Sequence, residues 1–125
     1  MSTLKLSTLP KTWIIDLDGT VFQHNGFLTN EEEEPLPGIK ELFQKISPDD
    51  YVIITTSRNE ELRWVTEGNL NKSGLRYNLL LMGLPKGERV LINDRKPSGL
   101  KTAFAVNVTR DKGMGALRIY YETDL

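Results

Sequence analysis

The 125-residue chain carries 16 basic and 17 acidic side chains, with 38% hydrophobic and 26% charged residues and no cysteine. These values fit one globular domain over residues 1–125 and exclude disulfide frameworks and thiolate metal sites. A formal charge of -1 gives no global field that favours nucleic acid or an anionic membrane.

The first stretch, MSTLKLSTLPK, lacks the apolar core of a signal peptide, and no run approaches the roughly 20 apolar residues of a membrane helix, so a cytoplasmic protein with no membrane partner is expected. The run Thr12–Leu17 (TWIIDL) reads as the first strand. It turns at Gly19-Thr20 into a loop holding His24, expected to be exposed, and NEEEE (Asn30–Glu34), expected to be solvated. In PLPGIKELFQKIS, Ile39, Leu42, Phe43 and Ile46 fall at helical spacing between Pro37 and Pro48. Tyr51–Thr56 (YVIITT) is the second expected strand. The next helix starts at the N-cap Asn59, with Glu60 and Glu61 in its first turn, Leu62, Val65 and Leu70 as its stripe, and Gly74 as its stop. Asn78–Met82, Arg89–Asn93 and Thr102–Val108 complete the expected strands. Runs this continuously apolar predict parallel strands covered on both faces. The expected fold is α/β, a single doubly wound (Rossmann-like) domain with a mainly parallel sheet of about five strands.

In such a sheet, functional groups gather beyond the carboxyl ends of the strands. The first expected strand ends in Asp16-Leu17-Asp18, the second in Thr56-Ser57-Arg58, and the fourth in Asn93-Asp94-Arg95, with Lys86 upstream. Asp16, Asp18 and Asp94 would form an all-oxygen site for a hard cation, and Mg²⁺ favours carboxylate, water and phosphate ligands. Beside a cation an aspartate stays ionised and can attack a phosphoryl group, while a second aspartate protonates the leaving oxygen and then activates water. Thr56, the backbone near Ser57, and Lys86 would hold the phosphoryl oxygens.

These residues resemble the haloacid dehalogenase (HAD) superfamily of phosphotransferases. WIIDLDGT matches its first motif, a hydrophobic strand followed by D-x-D-G-T, and YVIITTSR matches the second, with Thr56 as the conserved hydroxyl. Lys86 in GLPKGERVLIND stands where the third motif's lone basic residue is expected, with Lys96 as the alternative, and VLINDRKP matches the fourth, with Asn93 replacing the first acid of the usual pair. The resemblance implies that Asp16 is the nucleophile and Asp18 the general acid/base. It implies a Mg²⁺ held by Asp16, the Asp18 backbone carbonyl and Asp94. About twenty residues separate Thr20 from the first helix, too few for a cap domain, so the chain resembles the capless members. Such members act on large substrates or borrow a neighbouring protomer as a lid, which would make the protein a homo-oligomer.

The leading expectation is a Mg²⁺-dependent phosphomonoester hydrolase working through an aspartyl-phosphate. Its expected substrate is a small phosphorylated molecule, a sugar phosphate of surface-carbohydrate biosynthesis by resemblance to small capless bacterial members. Arg58 and Arg95 are expected to touch that substrate, with Phe22 and Phe27 stacking on its ring. The rival readings are a receiver-like phosphoacceptor that does not hydrolyse, and a phosphatase of nucleotide or macromolecular phosphate. A receiver has no use for an acid/base two residues after its nucleophile, so Asp18 is the discriminating residue.

Overall fold

The computed structural model describes residues 2–29, 32–115 and 117–123. The chain divides into two compact units. The larger comprises Leu9–Pro85 and Val108–Gly115, and the smaller Met1–Thr8, Lys86–Asn107 and Ala116–Leu125.

The larger unit is a βαβαβ succession. Strand β2 (Thr12–Asp16) is followed by helix α1 (Ile39–Gln44), β3 (Tyr51–Thr55), helix α2 (Arg63–Lys72) and β4 (Leu79–Leu81). The three strands form a parallel sheet in the order β2-β3-β4. Side chains alternate across a strand, so register decides which residues share a face. Ile15, Ile54 and Leu80 stand in one row, and all are buried. Ile39 and Leu42 of α1 and Leu70 of α2 are buried with them. The neighbouring row Ile14, Ile53 and Leu79 leaves Ile14 53% exposed and Leu79 39% exposed. The continuous apolar runs therefore mark strands buried chiefly on one face, not on both.

Helix α1 starts behind Gly38, whose φ of 85° is a left-handed conformation that glycine adopts without strain. A Cβ there would lie 2.9 Å from that of Met114, so the position also needs glycine for the close approach of the 108–115 segment. Helix α2 is preceded by a 3₁₀ turn at Glu60–Leu62 and ends at Ser73-Gly74, where Gly74 has φ 72° and the Leu75 N–H closes onto the Leu70 carbonyl at 3.1 Å. Its buried residues are Thr66, Asn69 and Leu70, whereas Leu62 and Val65 of the expected stripe are half-buried. Two polar side chains in the buried face explain why the helix reads as only weakly amphipathic.

The smaller unit pairs β1 (Ser2–Leu6) with β5 (Leu117–Tyr121) in parallel, two strands that the sequence reading did not foresee. The strands expected at Arg89–Asn93 and Thr102–Val108 do not form; residues 86–109 contain no regular element, and Val90 and Ile92 are 82% and 91% exposed. Strand propensity is realised only where a partner edge accepts the backbone hydrogen bonds. Here the contacts that pin the segment come from side chains instead. Asn93 Nδ2 donates to the Thr102 carbonyl and hydroxyl, each at 3.0 Å, and the Thr102 hydroxyl donates to the Asp94 carbonyl. The chain is thus α/β with parallel strands, and among the described residues five strands lie in sheets of two and three. Among the described residues no helix is long and apolar enough to cross a membrane.

Asp50 locks the base of the larger sheet. It is 4% exposed and accepts hydrogen bonds from the backbone N–H of Lys11 (2.9 Å), the indole N–H of Trp13 (2.8 Å) and the backbone N–H of Ser47 (3.2 Å). It thereby joins the entry to β2, the end of α1 and the start of β3. Burial pushes its carboxyl up, but the donors from Trp13, Lys11 and Ser47 outweigh that and hold it below the ordinary 3.8. A carboxylate whose pKa is depressed by folding stabilises above its unfolded pKa, and that contribution disappears as pH falls through the folded one. Asp50→Asn is therefore expected to cost about 1–3 kcal/mol at pH 7, since the amide cannot accept from every donor. Urea unfolding across pH 2 to 7 should show a smaller acid-side loss in the variant than in the wild type; parallel curves would contradict the assignment.

Candidate functional site

The site is built by the chain leaving β2. Leu17 is fully buried and donates its N–H to the Thr55 carbonyl at 2.9 Å, continuing the β2–β3 ladder by one residue. With Leu17 directed inward, its neighbours Asp16 and Asp18 project to the opposite side. The Leu17 carbonyl then accepts the N–H groups of Val21 (2.9 Å) and Phe22 (3.0 Å), and the Gly19 N–H donates to the Phe22 carbonyl at 2.7 Å. Gly19, at φ 84°, permits this tight turn. Asp16 is exposed at the strand end and accepts a 3.4 Å bond from the Thr20 hydroxyl. The Asp18 side chain is 17% exposed.

The chain leaving β3 supplies the groups that grip Asp18. Thr56, fully buried, donates its hydroxyl to Asp18 Oδ2 at 2.7 Å and accepts the Arg58 backbone N–H at 3.0 Å. The Arg58 side chain is only 2% exposed, with Nε donating to Asp18 Oδ1 at 3.0 Å and Nη2 lying 2.8 Å from the same oxygen. Its far edge forms a bidentate pair with Glu33, Nη1 to Oε2 at 2.9 Å and Nη2 to Oε1 at 2.6 Å. Nη1 also donates to the Thr66 hydroxyl at 3.0 Å, and the guanidinium carbon stands 4.4 Å from the centre of the Phe27 ring. Asn69 completes the network by donating to Glu33 Oε2 at 3.1 Å. Burial pulls the Arg58 pKa down, but the hydrogen bonds it donates to the Glu33 and Asp18 carboxylates outweigh that and raise it above the ordinary arginine value. The guanidinium is a permanent cation between two carboxylates.

Asp16, Asp18, Thr56, Ser57 and Arg58 thus share the carboxyl edge of the larger sheet, and the network gathers Asp18, Thr56 and Arg58 directly. Lys86, Asp94, Arg95 and Lys96 are exposed residues of the smaller unit. Arg58, expected at the substrate, is instead buried behind Asp18, because two carboxylates and a hydroxyl occupy its donors. Phe22, expected to stack on a substrate ring, is fully buried, and Phe27 faces Arg58. Of the NEEEE stretch, Asn30 and Glu31 lie outside the described residues, Glu32 pairs with Lys72, and Glu33 is buried rather than solvated.

Sequence reasoning missed Glu33, Thr66 and Asn69. Thr66 and Asn69 left a signal, as polar residues three apart at the positions the helix buries, whereas nothing distinguished Glu33 among its neighbours. It also missed Arg110. The Asp111 N–H donates to the Gly19 carbonyl at 2.9 Å and the His24 N–H to Asp111 Oδ1 at 2.7 Å. These ties set exposed Arg110 over the turn, with its Cγ 3.2 Å from where a Gly19 Cβ would lie.

Asp16 and the Asp18 carbonyl supply hard oxygen donors of the type Mg²⁺ takes, and the Asp18 carboxylate is engaged by Thr56 and Arg58. Among the described residues no three His, Cys, Asp or Glu side chains cluster as metal ligands.

Neither a family model nor a curated protein matches the sequence. Two solved structures are similar. One is a chain in the structure of the Pnkp1/Rnl/Hen1 complex, with 29% identity and a TM-score of 0.52, over 66% of this chain and 31% of that one. The other is an MCSG target from Vibrio cholerae, with 23% identity and a TM-score of 0.44, over 70% of this chain and 85% of that one. The chain therefore spans less than a third of the length of its Pnkp1/Rnl/Hen1-complex neighbour, and it shares that neighbour's trace over about two thirds of its own.

Proposed function

We propose that the protein is a Mg²⁺-dependent phosphomonoester hydrolase of the HAD type, acting in the cytoplasm on a small phosphorylated substrate such as a sugar phosphate. The observation that carries this reading is the pairing of an exposed Asp16 with an Asp18 held two residues on by Thr56 and Arg58. In this reading an Asp16 carboxylate oxygen attacks phosphorus and displaces the ester oxygen, and Asp18 gives that oxygen a proton. Asp18 then takes a proton from the water that attacks the aspartyl-phosphate, which releases phosphate and restores Asp16. Asp16, the Asp18 carbonyl and Asp94 would hold Mg²⁺, which when bound offsets the charge of the phosphoryl group. The backbone of Ser57 and Lys86 are assigned to the phosphoryl oxygens, and Arg95 to the rest of the substrate. A doubly wound (Rossmann-like) arrangement of the βαβαβ unit is part of the same proposal.

A half-buried, doubly held Asp18 supports a hydrolase over a phosphoacceptor switch, because a switch gains nothing from fixing an acid/base beside its nucleophile. Arg110, the exposed cation at the Gly19 turn, replaces Arg58 as the arginine placed to meet substrate. The reading is tested with an aryl phosphate. Phosphate release is expected with Mg²⁺ and expected to fall to background in excess EDTA, returning when Mg²⁺ is restored. Full activity in EDTA would overturn the metal assignment.

A further inference from the structure

We propose that Glu33 is a positioning residue for proton transfer, acting through Arg58 to fix the direction of the Asp18 carboxylate. This rests on the phosphatase reading above and adds to it a residue remote from the reacting atoms. A guanidinium has five N–H donors in a rigid plane. In Arg58 each nitrogen faces an acceptor: Nε faces Asp18, Nη1 faces Glu33 and Thr66, and Nη2 faces Glu33 and Asp18. Phe27 covers the plane. Arg58 held by Asp18 alone could turn about its own stem and carry the carboxylate with it. The bidentate pair with Glu33 removes that freedom, and Asn69 fixes Glu33 in turn. The orientation of Asp18 is therefore set at the far edge of the guanidinium, by a glutamate whose side chain is 3% exposed.

A fixed carboxylate matters most where the leaving oxygen needs a proton in the transition state. An alkoxide leaving group does, whereas a nitrophenolate leaves without one. A loosened Asp18 should thus penalise alkyl phosphates selectively. A purely structural Glu33, which only neutralises a buried charge, would lower both activities alike when replaced.

The test compares Glu33→Gln with the wild type on an alkyl phosphate and on 4-nitrophenyl phosphate, with Mg²⁺ saturating and folding checked by circular dichroism. The expected kcat on the alkyl ester falls roughly 10- to 10²-fold, the scale of a small misplacement of a catalytic group. On the aryl ester the single-turnover release of nitrophenolate, which reports the first step alone, should change by less than about threefold. Glu33→Asp, which keeps the charge, should recover part of the loss. Should Glu33→Gln not fold, Thr66→Val removes one acceptor from Arg58 with little change of shape, and should shift the alkyl-to-aryl ratio the same way by a smaller factor. An equal fall on both esters, or an unchanged ratio, overturns the positioning role while leaving the phosphatase reading intact. A wild-type protein that releases phosphate from neither ester overturns the phosphatase reading itself, and the role of Glu33 with it.

Discussion

Replacing Asp16 with asparagine is expected to abolish turnover while leaving the fold as it is. The residue closes β2 at an exposed position, and its bond from the Thr20 hydroxyl, at 3.4 Å, is long. Asparagine has the same shape and an oxygen that can accept that bond, so stability should change by no more than about 0.5 kcal/mol, as for other exposed sites. The amide oxygen is not a nucleophile towards phosphorus, and kcat on 4-nitrophenyl phosphate should fall by about 10⁴-fold or more, the scale of losing an essential catalytic group. Activity assays paired with urea unfolding separate the two effects. Wild-type turnover in this variant would require a different nucleophile.

Asp18→Asn should act on both steps and on stability together. Its carboxylate accepts the Thr56 hydroxyl on one oxygen and Arg58 on the other, and an amide presents an N–H₂ to one of these donors. Leaving a buried charged donor poorly matched costs about 1–3 kcal/mol. The kinetic loss should be larger, about 10²–10⁴-fold in kcat, which is the range for a general acid/base. With an aryl phosphate the first step survives better than the second, so phosphoenzyme should accumulate in the variant. With an alkyl phosphate the first step itself should stall. Stopped-flow release of nitrophenolate should show a burst in Asp18→Asn; a uniform loss without a burst would assign Asp18 to the scaffold.

The larger unit was legible because its chemistry and its hydrophobic runs coincide. WIIDLD carries acids at a strand end where an apolar residue is otherwise expected, and register places Asp16 beside Thr55, one residue before Thr56. Gly74 closes α2 with left-handed backbone, which a glycine after a helical pattern announces. The partners of Asp18 were less visible. Arg58 reads as a substrate contact because a guanidinium next to a strand end is usually solvated, and its burial depends on Glu33 from a loop 25 residues away. A charge run gives no sign of which member will be paired. Asn69 and Thr66 broke the apolar stripe of α2, and that break was the trace of a buried polar network. The strands expected at 89–93 and 102–108 rested on propensity alone, and propensity does not provide a partner edge. The β1–β5 pair joins segments at opposite ends of the chain, a contact no local pattern encodes.

The most direct measurement traps the covalent intermediate. Asp18→Asn protein is mixed with 4-nitrophenyl phosphate and Mg²⁺, quenched in acid and reduced with borohydride, which converts an acyl phosphate to the alcohol. Peptide mass spectrometry should then find homoserine in place of aspartate at position 16, and intact aspartate there when substrate is withheld. Homoserine at another carboxylate, or unmodified aspartate at position 16 in a sample that has released a burst of nitrophenolate, would contradict the assignment of Asp16 as the nucleophile.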